Sequence, residues 1–205
     1  LMTRCLGCMS NITNLSLISA IKVHQKKYEI NNYWEMSTYG KTLEYLRKNI
    51  KSGYESEFYE GIKSGEIVNG ILNQDVQDSS FTDSSLDLIT SNQVFEHVPD
   101  DIKGFSECYR VLKKRGALIF TIPLDHSDST RMLAEVNKGK IIFYSEPEYH
   151  DSRTEGPKTA LVFWRHSIND ILDRVSKAGF EAKFIDVMLS QYQGPPVKVI
   201  YAVKK

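Results

Sequence analysis

The sequence predicts an α/β fold built on a mostly parallel sheet, and three observations predict it. Leu86 to Pro123 reads strand, loop, helix, glycine stop and strand, a unit whose two strands must run parallel. Ala182 to Met188 and Val197 to Val203 flank Gln193-Gly194-Pro195-Pro196, which predicts an antiparallel hairpin at a sheet edge. At 205 residues the chain suits one such domain with a substantial core.

Taken in order, Asn14 to Val23 carries Leu15, Ile18 and Ile21 at helical spacing, with Leu17 beside them, and predicts a packing helix. Glu29 to Met36 reads as the first strand, Ser37 to Gly40 as a turn, and Lys41 to Ile50 as a helix with Leu43 and Leu46 inward. Tyr54 to Phe58 is the second strand, Ser64 to Gly70 a polar loop, Ile71 to Val76 the third strand, and Thr82 to Ser85 a turn. Leu86 to Thr90 is the next strand, and Asn92 to Val98 its exit loop. Pro99-Asp100-Asp101 opens a helix, because proline suits the first turn and carboxylates favour the positive end of the helix dipole. Ile102, Phe105, Cys108/Tyr109 and Leu112 form its inner face, and Lys113-Lys114-Arg115 followed by Gly116 signals its end. Ala117 to Pro123 is a second buried strand. Open parallel sheets bind ligands at the strands' carboxyl ends, which puts the Asn92 to Val98 loop where chemistry is expected. After Pro123 the pattern lapses for about forty residues, a length that usually marks a functional segment. Periodicity resumes at Ser167, read as a helix cap with Asp170 as its reciprocal partner. Ile168, Ile171, Leu172 and Val175 are the buried stripe, and Gly179 is the stop.

Charge is balanced at 26 basic against 26 acidic residues, with no run of basic and aromatic side chains, so bulk nucleic acid is not an expected partner. A small polar substrate fits better. No apolar stretch is long enough to cross a bilayer and nothing at the start resembles a signal peptide, so a cytoplasmic protein away from membranes is expected. Cys5-Leu6-Gly7-Cys8 has the spacing of half a zinc ribbon, yet Cys108 is the only other cysteine, so no metal centre is expected. Residues 1–27 read as an N-terminal segment and 28–205 as the main domain, with an insertion at about 124–166.

From Trp34 to Val203 the chain resembles the class I S-adenosylmethionine-dependent methyltransferases, in the group called type 11. The resemblance is carried by Gln74-Asp75-Val76-Gln77, by Phe81-Thr82-Asp83-Ser84-Ser85-Leu86-Asp87-Leu88-Ile89, by Val94-Phe95-Glu96-His97-Val98-Pro99-Asp100 and by Tyr109-Arg110-Val111-Leu112-Lys113-Lys114-Arg115-Gly116, in that order. It implies a doubly wound, Rossmann-like, seven-stranded sheet with an antiparallel last strand, and S-adenosylmethionine as cofactor. Where the family bears Gly-x-Gly-x-Gly, this chain reads Trp34-Glu35-Met36-Ser37-Thr38-Tyr39-Gly40, with one glycine. The site is then either a modified loop built from Glu35, Ser37 and Gly40, with Glu35 facing the methionine amine, or a decayed one.

The resemblance further implies that Asp75 accepts from the adenine amine, with the Val76 backbone beside the ring. It places Glu57 at the ribose hydroxyls and Asn92 and Gln93 at the sulfonium end. For Asp75 a turn role, for Glu57 a surface role and for Asn92 and Gln93 a plain loop role are the alternatives. Methyl transfer needs a base only where the acceptor must lose a proton, and imidazole titrates in the right range. Among His97, His126 and His150, the last is the first candidate, because it lies in the insertion that covers the acceptor in the family. Phe143, Tyr144, Tyr149 and Trp164 are candidate pocket walls, and Glu96 with His97 reads chiefly as a loop-shaping pair. The expected activity is methyl transfer to a small-molecule or glycan-type acceptor. One rival is a non-catalytic binding module. The other is a nucleotide hydrolase suggested by Gly40-Lys41-Thr42, which lacks the glycine that a phosphate loop needs where Glu35 stands.

Overall fold

The computed structural model describes residues 11–152, 156–190 and 192–205, so the Cys5 and Cys8 pair lies outside the described residues. In chain order the elements begin with α1 (Ile12–Gln25), β1 (Asn32–Glu35), α2 (Lys41–Asn49) and β2 (Ser52–Glu57). Next come β3 (Ile67–Val68), β4 (Ile71–Asn73), β5 (Leu86–Asn92), a single 3-10 turn at Phe95–His97, α3 (Asp101–Val111) and β6 (Leu112–Thr121). The insertion holds β7 (Leu124–Asp125), β8 (Arg131–Met132), β9 (Ala134–Asn137), β10 (Lys140–Phe143), β11 (Tyr149–Ser152), β12 (Gly156–Leu161) and β13 (Trp164–Ser167). The chain closes with α4 (Ile171–Lys177), β14 (Glu181–Val187) and β15 (Val197–Val203).

The main sheet runs β14-β15-β6-β5-β1-β2-β4-β3. The core strands from β6 to β4 are parallel, while β15 is antiparallel to both β14 and β6. The period-two alternation of β6 divides the core. Leu118 and Phe120 face α3 and α4 with Phe105, Val111, Ile171 and Val175, whereas Ala117 and Ile119 face Leu17 and Ile21 of α1 and Leu43 and Leu46 of α2. The chain order reverses beside β1, which pairs with β2 on one side and β5 on the other, leaving a crevice at their carboxyl ends.

Four local expectations change. The sheet has one strand beyond seven, because β3 folds back on β4 through Asn69 (φ 51°) and Gly70 (φ 83°), a two-residue turn in place of the expected loop. Lys113-Lys114-Arg115-Gly116 is not the end of α3. Leu112 is already extended, Arg115 takes φ 69°, and the segment bulges into β6 where its register with β5 shifts. The helix end is served from elsewhere: the Lys204 ammonium donates to the carbonyls of Tyr109 and Leu112 at 2.7 Å each. Ser167 does not cap α4, since its hydroxyl donates to the Ser127 carbonyl while Asp170 accepts from the Thr130 amide at 2.8 Å. Finally, the irregular region after Pro123 is largely short antiparallel strands.

Candidate active site

A cavity opens at the carboxyl ends of β1, β2 and β4, beside the loop that follows β5. Trp34 and Met36 come from β1 and its exit, Glu57 and Phe58 from the end of β2, Asp75, Val76 and Gln77 from the segment after β4, and Val94, His97 and Val98 from the loop after β5. Its walls are mostly apolar, with carboxylates at two sides. That composition suits a flat heteroaromatic ring carrying hydroxyl groups.

The structure thus brings together Glu57, Asp75 and Val76 and holds the others elsewhere. Glu57 accepts from the Thr38 amide at 2.9 Å and from the Thr38 hydroxyl at 2.7 Å, so the same carboxylate that faces the cavity also pins the turn after β1. Asp75 accepts from the Gln77 amide at 2.8 Å, closing a tight turn, and Gln77 in turn accepts from the Asp100 amide at 3.0 Å. Glu35 is buried behind the cavity rather than lining it, and its carboxylate accepts from the Thr90 hydroxyl. Burial pushes its carboxyl up to about 8, with Glu57 and Glu55 adding to the rise against the Thr90 bond. Ser37 bonds locally to Tyr39, and Gly40 caps α2 at φ 103° against the Asn14 side chain. Asn92 accepts from the Thr121 hydroxyl at 2.8 Å, and Gln93 with His126 lines a separate cleft near Pro195 and Pro196.

The insertion is stitched onto the loop after β5. Phe163 donates its amide to the Glu96 carbonyl at 2.8 Å, and the Trp164 indole donates to the Val98 carbonyl at 2.9 Å. Tyr149 on β11 is exposed, as are Phe143 and Tyr144, so of the four expected aromatic walls only Trp164 is buried. The same stitching brings His150 of β11 to His97, with Nδ1 of the former 3.2 Å from Nε2 of the latter. His97 Nδ1 lies 2.8 Å from the Leu161 carbonyl, which can only accept, so the proton sits on Nδ1 and Nε2 is a bare lone pair. Below them Glu96 is 1% exposed and receives no hydrogen bond from another described residue. Burial pushes its carboxyl up to about 8.

Two features escaped the sequence reading. The closeness of Glu96, His97 and His150 depends on a strand pairing some fifty residues away, with no local signal beyond the adjacent Glu96-His97 pair. Asp101 at the start of α3 is fully buried between His166 Nε2 at 3.0 Å and the Arg174 guanidinium at 2.5 and 3.1 Å, anchoring α4 and the insertion's last strand to α3. Those partners hold its carboxyl below the usual range in spite of burial.

Among the described residues no helix is long and apolar enough to cross a membrane. No curated protein matches the chain. Solved structures of S-adenosylmethionine-dependent methyltransferases share its fold. One from Mesorhizobium loti is 11% identical, covering 90% of this chain and 96% of its own at a TM-score of 0.55. Others come from Aquifex aeolicus, at 17% identity, 91% and 88% coverage and TM-score 0.53, and from Methanosarcina mazei, at 16%, 89% and 96%, and 0.52. Residues 31–120, from the approach to β1 through most of β6, match the family described as Methyltransferase domain. The matched segment, a little under half of the chain, carries both the parallel core of the sheet and the cavity.

Proposed function

We propose that this chain binds S-adenosylmethionine in the cavity beside β1 and transfers its methyl group to a small-molecule or glycan-type acceptor. The observation that carries the reading is the meeting of Glu57, Asp75 and Val76 with His97 of the loop after β5 in one crevice. The donor set fits the adenosine half of the cofactor: Asp75 accepts from the adenine amine, Glu57 from ribose hydroxyls, and Val76, Val94 and Val98 exclude water from the ring. When bound, the cofactor supplies a methyl group already activated by its positively charged sulfur. What remains for the protein is alignment of the acceptor and handling of its proton. His150, held against His97 at the edge of the crevice, is the catalytic group in this reading. Residues 28–205 form the methyltransferase-like domain, and the insertion covers the acceptor.

Calorimetric titration with S-adenosylmethionine and S-adenosylhomocysteine tests the proposal. Micromolar binding is expected, and no binding at millimolar cofactor would sink it. Asp75→Ala should weaken binding about tenfold or more, the scale of a lost hydrogen bond to a charged group, and an unchanged affinity would refute the adenine assignment. One observation favours the rival binding module: the Thr42 amide in the first turn of α2 donates to Asn14 at 3.2 Å, so the protein itself occupies a donor that could hold an anion. Release of S-adenosylhomocysteine over a panel of hydroxyl and amine acceptors separates the two.

A further inference from the structure

Glu96, His97 and His150 form a constellation that the fold does not explain. Glu96 presents a carboxylate with neither oxygen hydrogen-bonded to another described residue, at 1% exposure. Leaving such a group unmatched costs on the order of 1–3 kcal/mol or more, so its retention points to a partner that the described residues do not provide. The two imidazoles converge on it: His97 Nε2 is 3.8 Å and His150 Nδ1 is 4.0 Å from Glu96 Oε1, and the two nitrogens are 3.2 Å apart.

These separations are close to what one ion requires. Donors bound at about 2.0–2.1 Å in tetrahedral array lie about 3.3–3.4 Å from each other. The imidazole pair is already at that spacing, and the two distances to Glu96 need to shorten by about 0.4–0.7 Å to reach it. The outer groups match as well. His97 is held through Nδ1 by the Leu161 carbonyl, which leaves Nε2 to coordinate. The far nitrogen of His150, Nε2, faces Glu148 Oε1 at 3.7 Å, and Glu148 is fixed through its other oxygen by Arg165 at 2.6 Å. A carboxylate or carbonyl behind each coordinating imidazole is the arrangement that orients metal-binding histidines. His150 is 38% and His97 20% exposed, so an ion can enter from the solvent side.

We propose that Glu96, His97 and His150 bind a divalent transition-metal ion of the zinc or manganese kind, with an open position toward the crevice. Two imidazoles and one carboxylate suit such ions, and three protein ligands leave room for a further oxygen. The role assigned next rests on the methyl-transfer reading, while the binding itself does not. With the ion bound, His150 serves as a ligand instead of as the base, and an acceptor hydroxyl at the open position loses its proton to water because the ion stabilises the resulting oxyanion, which makes an oxygen nucleophile available near neutrality. Oxygen acceptors are then preferred over amines.

The test uses the whole 205-residue chain carrying Cys5→Ser and Cys8→Ser, so that the thiol pair contributes no zinc binding, after removal of metals by chelation. Titration with Zn2+ and with Mn2+, without cofactor, should show one site of micromolar or tighter affinity for Zn2+. Glu96→Gln and His150→Ala should each weaken it beyond about 100-fold, and Glu148→Gln by about tenfold, the range of an outer partner. Absence of binding, or equal affinity in Glu96→Gln, overturns the proposal. Should a variant fail to fold, a crystal of the unaltered protein soaked in Mn2+ decides: an anomalous peak between the three side chains supports the site, and a peak elsewhere or none refutes it. Cofactor titration in the presence of chelator keeps failure of the methyltransferase reading separate.

Discussion

Replacing Glu35 by glutamine should remove that residue's share of the stability that the protein loses as pH rises. Glu35 is enclosed between β1 and β5, with the Thr90 hydroxyl as its hydrogen-bond donor, and burial raises its carboxyl from 4.5 to about 8. Below pH 4.5 the group is protonated in folded and unfolded chains alike and adds no slope. Between 4.5 and 8 only the unfolded chain releases the proton, so the folded state loses stability with rising pH at about 1.4 kcal/mol per pH unit. Over the interval from 4.5 to about 8 the loss amounts to about 5 kcal/mol, to order of magnitude. Glutamine has the same shape, can still accept from Thr90, and never ionises. Urea unfolding of both proteins at pH 5, 6, 7 and 8, without cofactor, measures the difference. The variant should gain on the unaltered protein by several kcal/mol between pH 5 and pH 8. Glu96, also raised to about 8, adds a slope of the same sign to both proteins and cancels. Parallel curves for the two proteins would show that Glu35 is solvated, and the placement of β1 would fall with it.

Asp101→Ala should destabilise the fold by about 3–5 kcal/mol, because it strands the Arg174 charge and His166 in a buried setting; a urea midpoint change equivalent to under 1 kcal/mol would contradict this. Gly116→Ala should cost about 1–3 kcal/mol, since a Cβ there would stand 2.9 Å from the Lys113 carbonyl oxygen and 3.1 Å from that of Asp87. An unchanged thermal midpoint for Gly116→Ala would mean that the bulge relaxes freely.

Period-two and period-3.6 patterns revealed most of the sheet and its helices, because each element's buried face is written in its own residues. Leu43 and Leu46 in α2, and Ile171 and Val175 in α4, are buried as their spacing requires. What failed were the ends. Lys113-Lys114-Arg115-Gly116 has the chemistry of a helix stop, yet the capping cation is Lys204, which tertiary structure brings from the far end of the chain. Asn69-Gly70 is a hairpin signal masked by its setting, because Ser64 to Gly70 is polar as a whole. In the site, Asp75 and Glu57 were legible through the family's order of motifs, whereas the Glu96, His97 and His150 cluster was not, since a hairpin in an irregular insertion determines which histidine reaches the loop.

The glycine-poor turn after β1 bears on which experiment discriminates best. Glycines let a backbone adopt a tight turn unaided; here Glu57 holds Thr38, and Asn14 packs on Gly40 and binds Thr42. Side chains from α1 and β2 therefore maintain a turn that the local sequence does not. Glu57 is thereby both a wall of the cavity and a fastening of the turn, so weaker cofactor binding in Glu57→Ala would follow from either role. The Asp75 carboxylate is tied only to its neighbour Gln77 among the described hydrogen bonds, and its loss leaves the β1 turn in place. Affinity measured on Asp75 variants consequently tests the proposed adenine contact, while Asn14→Ala, remote from the cavity walls, tests the turn.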